Sequence, residues 1–322
     1  MTKKIALIGS GQIANFHVPA LKAAGLEIVH CASSPHSKTI AEFAKRHKIK
    51  KIWQDPEELI KSFDQWDGIV IASATDPTLH LLNLAMVSGK PILVEKPVSY
   101  DADLLSKYSN SAPKNIIVAY NRRHYNTVQK ARKFVSNCSM VFATMTLPEK
   151  VSATDKIPYD NVHSNSTHGI DMLYYIFGSL IIEKIITASP TDPFFGRQAL
   201  LRSKTGNLIS LNLNWNSPSN FALSIENINT KIDLCPFEKL QQFEGMDVIA
   251  PSEEYPVRQY IPKLVDSFNV FDGKSKSLKP GFGEQSEEFA KLLNGKPVKI
   301  GANLTDAYNA QALAHKIVNN TN

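Results

Sequence analysis

The apolar run Ile5-Ala6-Leu7-Ile8 empties into Gly9-Ser10-Gly11-Gln12-Ile13-Ala14, and no other stretch of the chain narrows the fold as much. Two glycines let the backbone turn tightly and approach a pyrophosphate, while Ala14 lets the following helix pack close to the strand. The amides at the start of that helix have no partners of their own and suit an anion. A bare G-x-G-x-x-A has little weight. Here it follows a strand, opens a helix and begins an α/β pattern, as a dinucleotide turn requires. On that reading Gly9, Gly11, Gln12 and Ile13 bind a cofactor; the plain alternative is a glycine turn with no ligand.

From residue 1 to about 120, apolar strands alternate with amphipathic helices, the pattern of βαβ units in a doubly wound parallel sheet. Strands are expected at 4–8, 27–32, 51–53, 68–72, 91–94 and 115–119. Helices are expected at 16–24, 38–47, 56–63 and 78–87, with a further one capped by Asp101 and reaching residue 109. After about residue 135 the character changes. Segments 141–147, 181–188, 199–203, 208–214, 222–228 and 231–234 read as strands, several with period-two alternation, which predicts a large, mostly antiparallel open sheet. A helix at 165–177 packs it, and helices at 284–293 and 305–318 follow. The fold expected is α/β: a Rossmann domain over 1–120 and an α+β domain over 121–322 for substrate binding and self-association.

The 322 residues, 43% of them apolar, are enough for two cores. Cys31, Cys138 and Cys235 are widely spaced and odd in number, which argues against a disulfide framework or a clustered zinc site. No run approaches a membrane span, and the apolar run after Met1-Thr2-Lys3-Lys4 is too short for a signal segment; a cytoplasmic protein with no membrane partner is expected. The net charge of +6 gathers in Lys45-Arg46-His47-Lys48-Ile49-Lys50-Lys51. These cations read as a solvated helix end that complements the helix dipole. Nucleic acid is not an expected partner, because no recognition-helix motif or interleaved aromatics accompany them.

Glu95-Lys96-Pro97 closes the apolar run Ile92-Leu93-Val94. Ligands of open α/β sheets lie beyond the C-terminal ends of the strands, so a lysine there carries charge to a substrate or moves a proton. Hydride transfer between a C–H bond and nicotinamide needs a proton to leave or join the adjacent oxygen, and a partly desolvated lysine suits that task. A surface lysine is the alternative; Pro97, which fixes the chain, favours the functional reading. Where the second strand ends, residues 31–38 hold no carboxylate for a ribose hydroxyl. Ser33, Ser34 and Lys38, assisted by His36, can hold a 2′-phosphate, so NADP is favoured over NAD although no arginine is present. The fourth strand ends in Ser73-Ala74-Thr75-Asp76-Pro77 ahead of His80, which adds Thr75 and His80 to the cofactor set; the same stretch also reads as a helix cap. On a helix from Thr167, residues His168, Asp171 and Tyr175 share one face. A satisfied core histidine is the alternative there, and His163, His168 and Asp171 lack the further ligand a metal would need, so no metal is expected.

With Tyr120-Asn121-Arg122-Arg123, and with Gly281-Phe282-Gly283-Glu284-Gln285 leading into Glu288-Phe289, these motifs make the chain resemble a known family over nearly its whole length. That family is the glucose-fructose oxidoreductase, inositol dehydrogenase and MocA-like group of NAD(P)-dependent sugar oxidoreductases. The resemblance implies hydride transfer between nicotinamide and a sugar or nucleotide-sugar carbon. It gives Lys96 and His168 catalytic roles, sets Asn121 and Arg123 near the substrate or the cofactor edge and Asp171 near the sugar, and implies a homodimer or homotetramer; Glu95 joins Lys96 in the cofactor set, and Tyr175 joins Asn121, Arg123 and Asp171 in the substrate set. One position departs from the family pattern: aligned on His168, the usual aspartate is Ser164 and the glycine is Ser166. That departure raises a rival, a non-catalytic dinucleotide sensor of the same fold. Loops 148–161 and 216–220 are expected to set substrate specificity.

Overall fold

The computed structural model describes residues 2–155, 159–189, 191–192, 194–272 and 277–320. Contacts divide the chain into two units, 1–124 with 275–315 and 125–274 with 316–322.

The first unit opens with β1 Lys4–Ile8, α1 Gln12–Ala23, β2 Glu27–Ala32, α2 Ile40–His47 and β3 Lys51–Trp53. It continues through α3 Pro56–Lys61, β4 Gly68–Ile71, α4 Thr75–Met86, β5 Ile92–Val94 and β6 Ile116–Val118. The second unit contains α5 Asn126–Ser136, β7 Phe142–Thr146, α6 Thr167–Phe177, β8 Leu180–Thr187, β9 Arg197–Ser203 and β10 Leu208–Leu213. It adds β11 Ala222–Glu226, β12 Thr230–Leu234, β13 Lys239–Ile249 and β14 Gln259–Asn269; α7 Phe282–Leu293 and α8 Leu304–Asn319 then follow.

Six parallel strands order themselves β3-β2-β1-β4-β5-β6, so the winding reverses between β1 and β4. A reversal of this kind opens a crevice at the C-terminal strand ends, the usual ligand position in such sheets. The central strands are apolar on both faces because helices cover both. Ile5, Leu7, Val70, Leu93 and Ile117 share one core with Val18 and Leu21 of α1 and Phe289 and Leu293 of α7. Helix α1 starts at Gln12, ahead of the expected residue 16, because Gly11 already has the extended backbone of an N-cap. The expected helix before residue 109 is a tighter 3₁₀ segment, Asp103–Tyr108, whose Asp103 amide donates to the Asp101 carboxylate at 2.8 Å.

The expected second domain, 121–322, needs correction at its far end. Residues 277–315 belong to the first unit, since α7 supplies apolar cover for the parallel sheet and Ala302 bridges Val118 of β6. Beside α7, Glu288 is 4% exposed and accepts the amides of Lys299, Ile300 and Gly301 at 3.2, 2.9 and 2.8 Å. Burial pushes its carboxyl up, but those amides and His124 outweigh burial and hold it below the ordinary range. Burial pushes His124 down to about 4, against the pull of Glu288. A histidine that is neutral when folded takes up a proton on unfolding, so stability should fall as pH drops from about 6.5 to about 4, by up to about 3 kcal/mol. Urea midpoints measured across that window should show this slope, and His124→Phe should flatten it.

The second unit's eight-stranded sheet runs β14-β13-β12-β11-β7-β10-β9-β8 and is antiparallel except between β7 and β10. Ala143, Met145, Leu201, Ile209, Leu211 and Leu223 face the buried side. Strands β13 and β14, of 11 residues each, were not foreseen. Most of their side chains are exposed whichever face they take, so the alternation that marks a half-buried strand is missing.

Candidate functional site

At the end of β1 the glycine turn is set by sterics. Gly9 has φ +113°, and a Cβ built on it would run into the Ala72 carbonyl just past β4. Its amide donates to Ala32 at the end of β2 at 2.8 Å. Gly11 differs: a Cβ there meets nothing within 4 Å and points into open space. That space is a cavity of about 720 Å³. Of the residues expected to bind a cofactor, Gly9, Gly11, Gln12, Ile13, Ser33, Ser34, His80, Glu95 and Lys96 line it. Lys38 is exposed and Thr75 opens α4; neither is on the wall. Open room ahead of Gly11, at the free amides of the α1 N-terminus, fits a dinucleotide pyrophosphate.

Three further wall residues escaped sequence reasoning. Ser10, between the glycines, brings its Oγ to 2.7 Å from Thr39 Oγ1, 3.1 Å from Ser37 Oγ and 3.3 Å from Ser33 Oγ. It thereby ties the turn to the segment after β2. Asp55 accepts the Glu57 amide at 2.8 Å and caps α3. Glu57 Oε1 lies 3.0 Å from His80 Nε2, and that hydrogen bond, chiefly, holds its carboxyl below the ordinary range. The serine-rich run after β2 could have drawn attention to Ser10; Asp55 and Glu57 stand at the start of α3 with nothing in their neighbours to mark a cavity wall.

Glu95 follows β5 and turns inward. Its Oε1 lies 2.7 Å from His17 Nε2 on α1, and His17 is only 1% exposed. Its Oε2 accepts the Lys96 amide at 3.2 Å. The Lys96–Pro97 peptide is cis. Nearby, the Lys279 ammonium sits 4.5 Å from the Phe16 ring centre and 5.1 Å from that of Phe282. Burial pushes Lys279 below the usual lysine range, with Glu95 opposing the shift and Arg122 adding to it.

Asn121 and Arg123, expected at the substrate, are buried and absent from the cavity wall. Asn121 donates to the Pro280 carbonyl at 2.9 Å. Arg123 is 4% exposed and meets Asp306 of α8 through two nitrogens, at 3.1 and 3.3 Å. That fork ties the segment after β6 to α8 within the first unit. Arg123→Ala should cost about 2 kcal/mol by urea unfolding, below the 3–5 kcal/mol of a fully buried pair because Asp306 keeps partial exposure.

In the second unit, α6 carries the expected stripe. His168, Asp171 and Tyr175 are all buried, at 7%, 1% and 9% exposure. A π-helical turn, Val162–Ser166, leads into it and contains Ser164; such turns recur at functional sites. Ahead of that turn Tyr159 has φ +60°, unusual for a bulky residue, with its ring packed against Trp215 and Phe194. Tyr175 is engaged by α5: its hydroxyl lies 2.9 Å from Gln129 Nε2 and 2.8 Å from Arg132 Nη1, with the Arg132 guanidinium over its ring. It fastens α6 to α5. Among the described residues, no group of three or more His, Cys, Asp or Glu is arranged to hold a metal, and no helix is long and apolar enough to cross a membrane.

Residues 3–133 match the GFO_IDH_MocA model, described as an oxidoreductase family with an NAD-binding Rossmann fold. An uncharacterized oxidoreductase of Bacillus subtilis (strain 168), YrbE, is 28% identical over 197 residues, 57% of this chain and 57% of that protein. Inositol 2-dehydrogenase of Rhizobium meliloti (strain 1021) is 27% identical over 139 residues, 41% of each. These matches thus span little more than half of the first relative and less than half of the second. A levoglucosan dehydrogenase solved with NADH and levoglucosan superposes with a TM-score of 0.75 at 17% identity, covering 99% of this chain and 96% of that one. Over residues 3–133 the chain thus matches an oxidoreductase family with an NAD-binding Rossmann fold, and along nearly its whole length it shares the fold of the solved levoglucosan dehydrogenase.

Proposed function

We propose that this chain is a sugar oxidoreductase that moves a hydride between a nicotinamide dinucleotide and a carbon of a sugar or nucleotide-sugar. One observation carries the reading: the glycine turn and Lys96 line a single cavity. When bound, the nicotinamide supplies or accepts the hydride. The α1 amides and the open face of Gly11 hold the pyrophosphate. Lys96 holds the reacting oxygen and passes or takes its proton. His168, at the first turn of α6, takes the supporting proton role and Asp171 contacts the sugar, as the family resemblance implies.

For the cofactor, the cationic support for NADP weakens: Lys38 is off the wall, whereas Asp55 and Glu57 are on it. A 2′-phosphate facing two carboxylates is disfavoured, and a ribose hydroxyl facing them is not. NAD is therefore the better reading, with Ser10 and Ser33 as hydroxyl partners. Exposed apolar side chains of the second sheet, among them Phe142, Ile181, Met246, Val248, Ile261 and Leu264, support the expected homodimer or homotetramer.

Native mass spectrometry with NADH, NADPH and a panel of sugars and nucleotide-sugars, run beside nicotinamide absorbance, tests cofactor, ligand class and assembly together. A sugar-dependent absorbance change is expected. Dinucleotide binding with no such change for any sugar would favour the sensor reading, which Ser164 in place of the family aspartate keeps in play.

A further inference from the structure

His17 has no role in the proposed chemistry, yet it makes a buried hydrogen bond from the cofactor helix to Glu95 of the Glu95-Lys96-Pro97 turn. Helix α1 presents the amides that suit a pyrophosphate, and β5 delivers Lys96 to the same cavity. Between them, His17 Nε2 donates to Glu95 Oε1 at 2.7 Å, and Glu95 Oε2 takes the Lys96 amide at 3.2 Å. Both carboxylate oxygens are thus used, one on the helix and one on the lysine's own peptide. The ring of His17 is enclosed: its centre lies 4.8 Å from that of Phe282, and its Nδ1 has no hydrogen-bond partner.

We infer that His17 is a positioning residue, which through Glu95 fixes the distance between the pyrophosphate end of the cavity and Lys96. This rests on the proposed hydride-transfer role of the site. A plain core histidine would also be buried, but it would not need a partner whose second oxygen holds the backbone of the functional lysine. Misplacement of a reacting group by about 1 Å can cost about 100-fold in rate, so a short, buried tether at this point has a large effect to deliver.

The test compares His17→Gln, whose amide reaches where Nε2 lies, with His17→Asn, whose amide is too short. Two readouts are taken on the full chain: acylation of individual lysines by acetic anhydride, followed by peptide mass spectrometry, and steady-state turnover with the sugar found above. His17→Asn should acylate Lys96 about fivefold faster than wild type, with surface lysines unchanged, and should lower kcat about 10- to 100-fold at near-constant KM for the dinucleotide. His17→Gln should restore both to within about threefold of wild type. Wild-type acylation of Lys96 in His17→Asn would overturn the inference, even if the variant melted earlier. Absence of turnover in the wild-type protein with every sugar would overturn the proposed function instead, and the acylation result would still decide the role of His17.

Discussion

Lys96→Met is expected to bind dinucleotide as the wild type does and to lose turnover by about 10²- to 10⁴-fold, the range for removing a general acid or base. Methionine keeps the length and the apolar stem but cannot hold or pass a proton. The rest of the cavity wall and the amides of α1 are untouched, and the Lys96 backbone amide that Glu95 accepts survives the change. Fluorescence titration with NADH should therefore give a dissociation constant near the wild-type value, while nicotinamide absorbance under saturating sugar falls close to background. Turnover at the wild-type rate would remove Lys96 from the mechanism and, with it, the main support for an enzyme.

The two glycines of the turn should respond in opposite ways. Gly9→Ala forces a Cβ into the Ala72 carbonyl at a φ that only glycine adopts easily, so it should destabilise the first unit by about 3 kcal/mol or more and weaken dinucleotide binding as a consequence. Gly11→Val has room in the free protein and a backbone, φ −78° and ψ −171°, that valine tolerates. Its side chain would occupy the space in which the pyrophosphate is proposed to sit. The urea midpoint should stay near wild type while the dissociation constant for NADH rises at least about 100-fold, equivalent to about 2.7 kcal/mol. Unchanged affinity in Gly11→Val would move the ligand away from the turn.

The parallel sheet was legible because its strands are short, largely apolar runs that alternate with amphipathic helices, and the turn because its residues are contiguous. The large sheet was legible only where one face is buried; β13 and β14, exposed on both, carry no periodic signal. Side-chain pairs across long separations were not legible at all. His17 and Glu95 lie 78 residues apart, and Arg123 and Asp306 lie 183 apart, so neither partner can be read from its neighbours. The same gap hides the Asp306 partner of Arg123 from a reading of the sequence. Lys38 shows the converse: a charge close in sequence to the second strand's end is not therefore turned toward the cavity.

The division of the first unit between two distant stretches bears on how the chain is made. Phe289 and Leu293 belong to the core of the parallel sheet, and Arg123 finds Asp306 only in α8. A ribosome delivering residues in order has therefore released the whole antiparallel sheet before the first unit can close. Until then, the nascent parallel sheet lacks cover on part of one face and is open to non-native contacts of the kind chaperones suppress. The glycine turn emerges ahead of the antiparallel sheet, yet the unit that contains it can be finished only after that sheet.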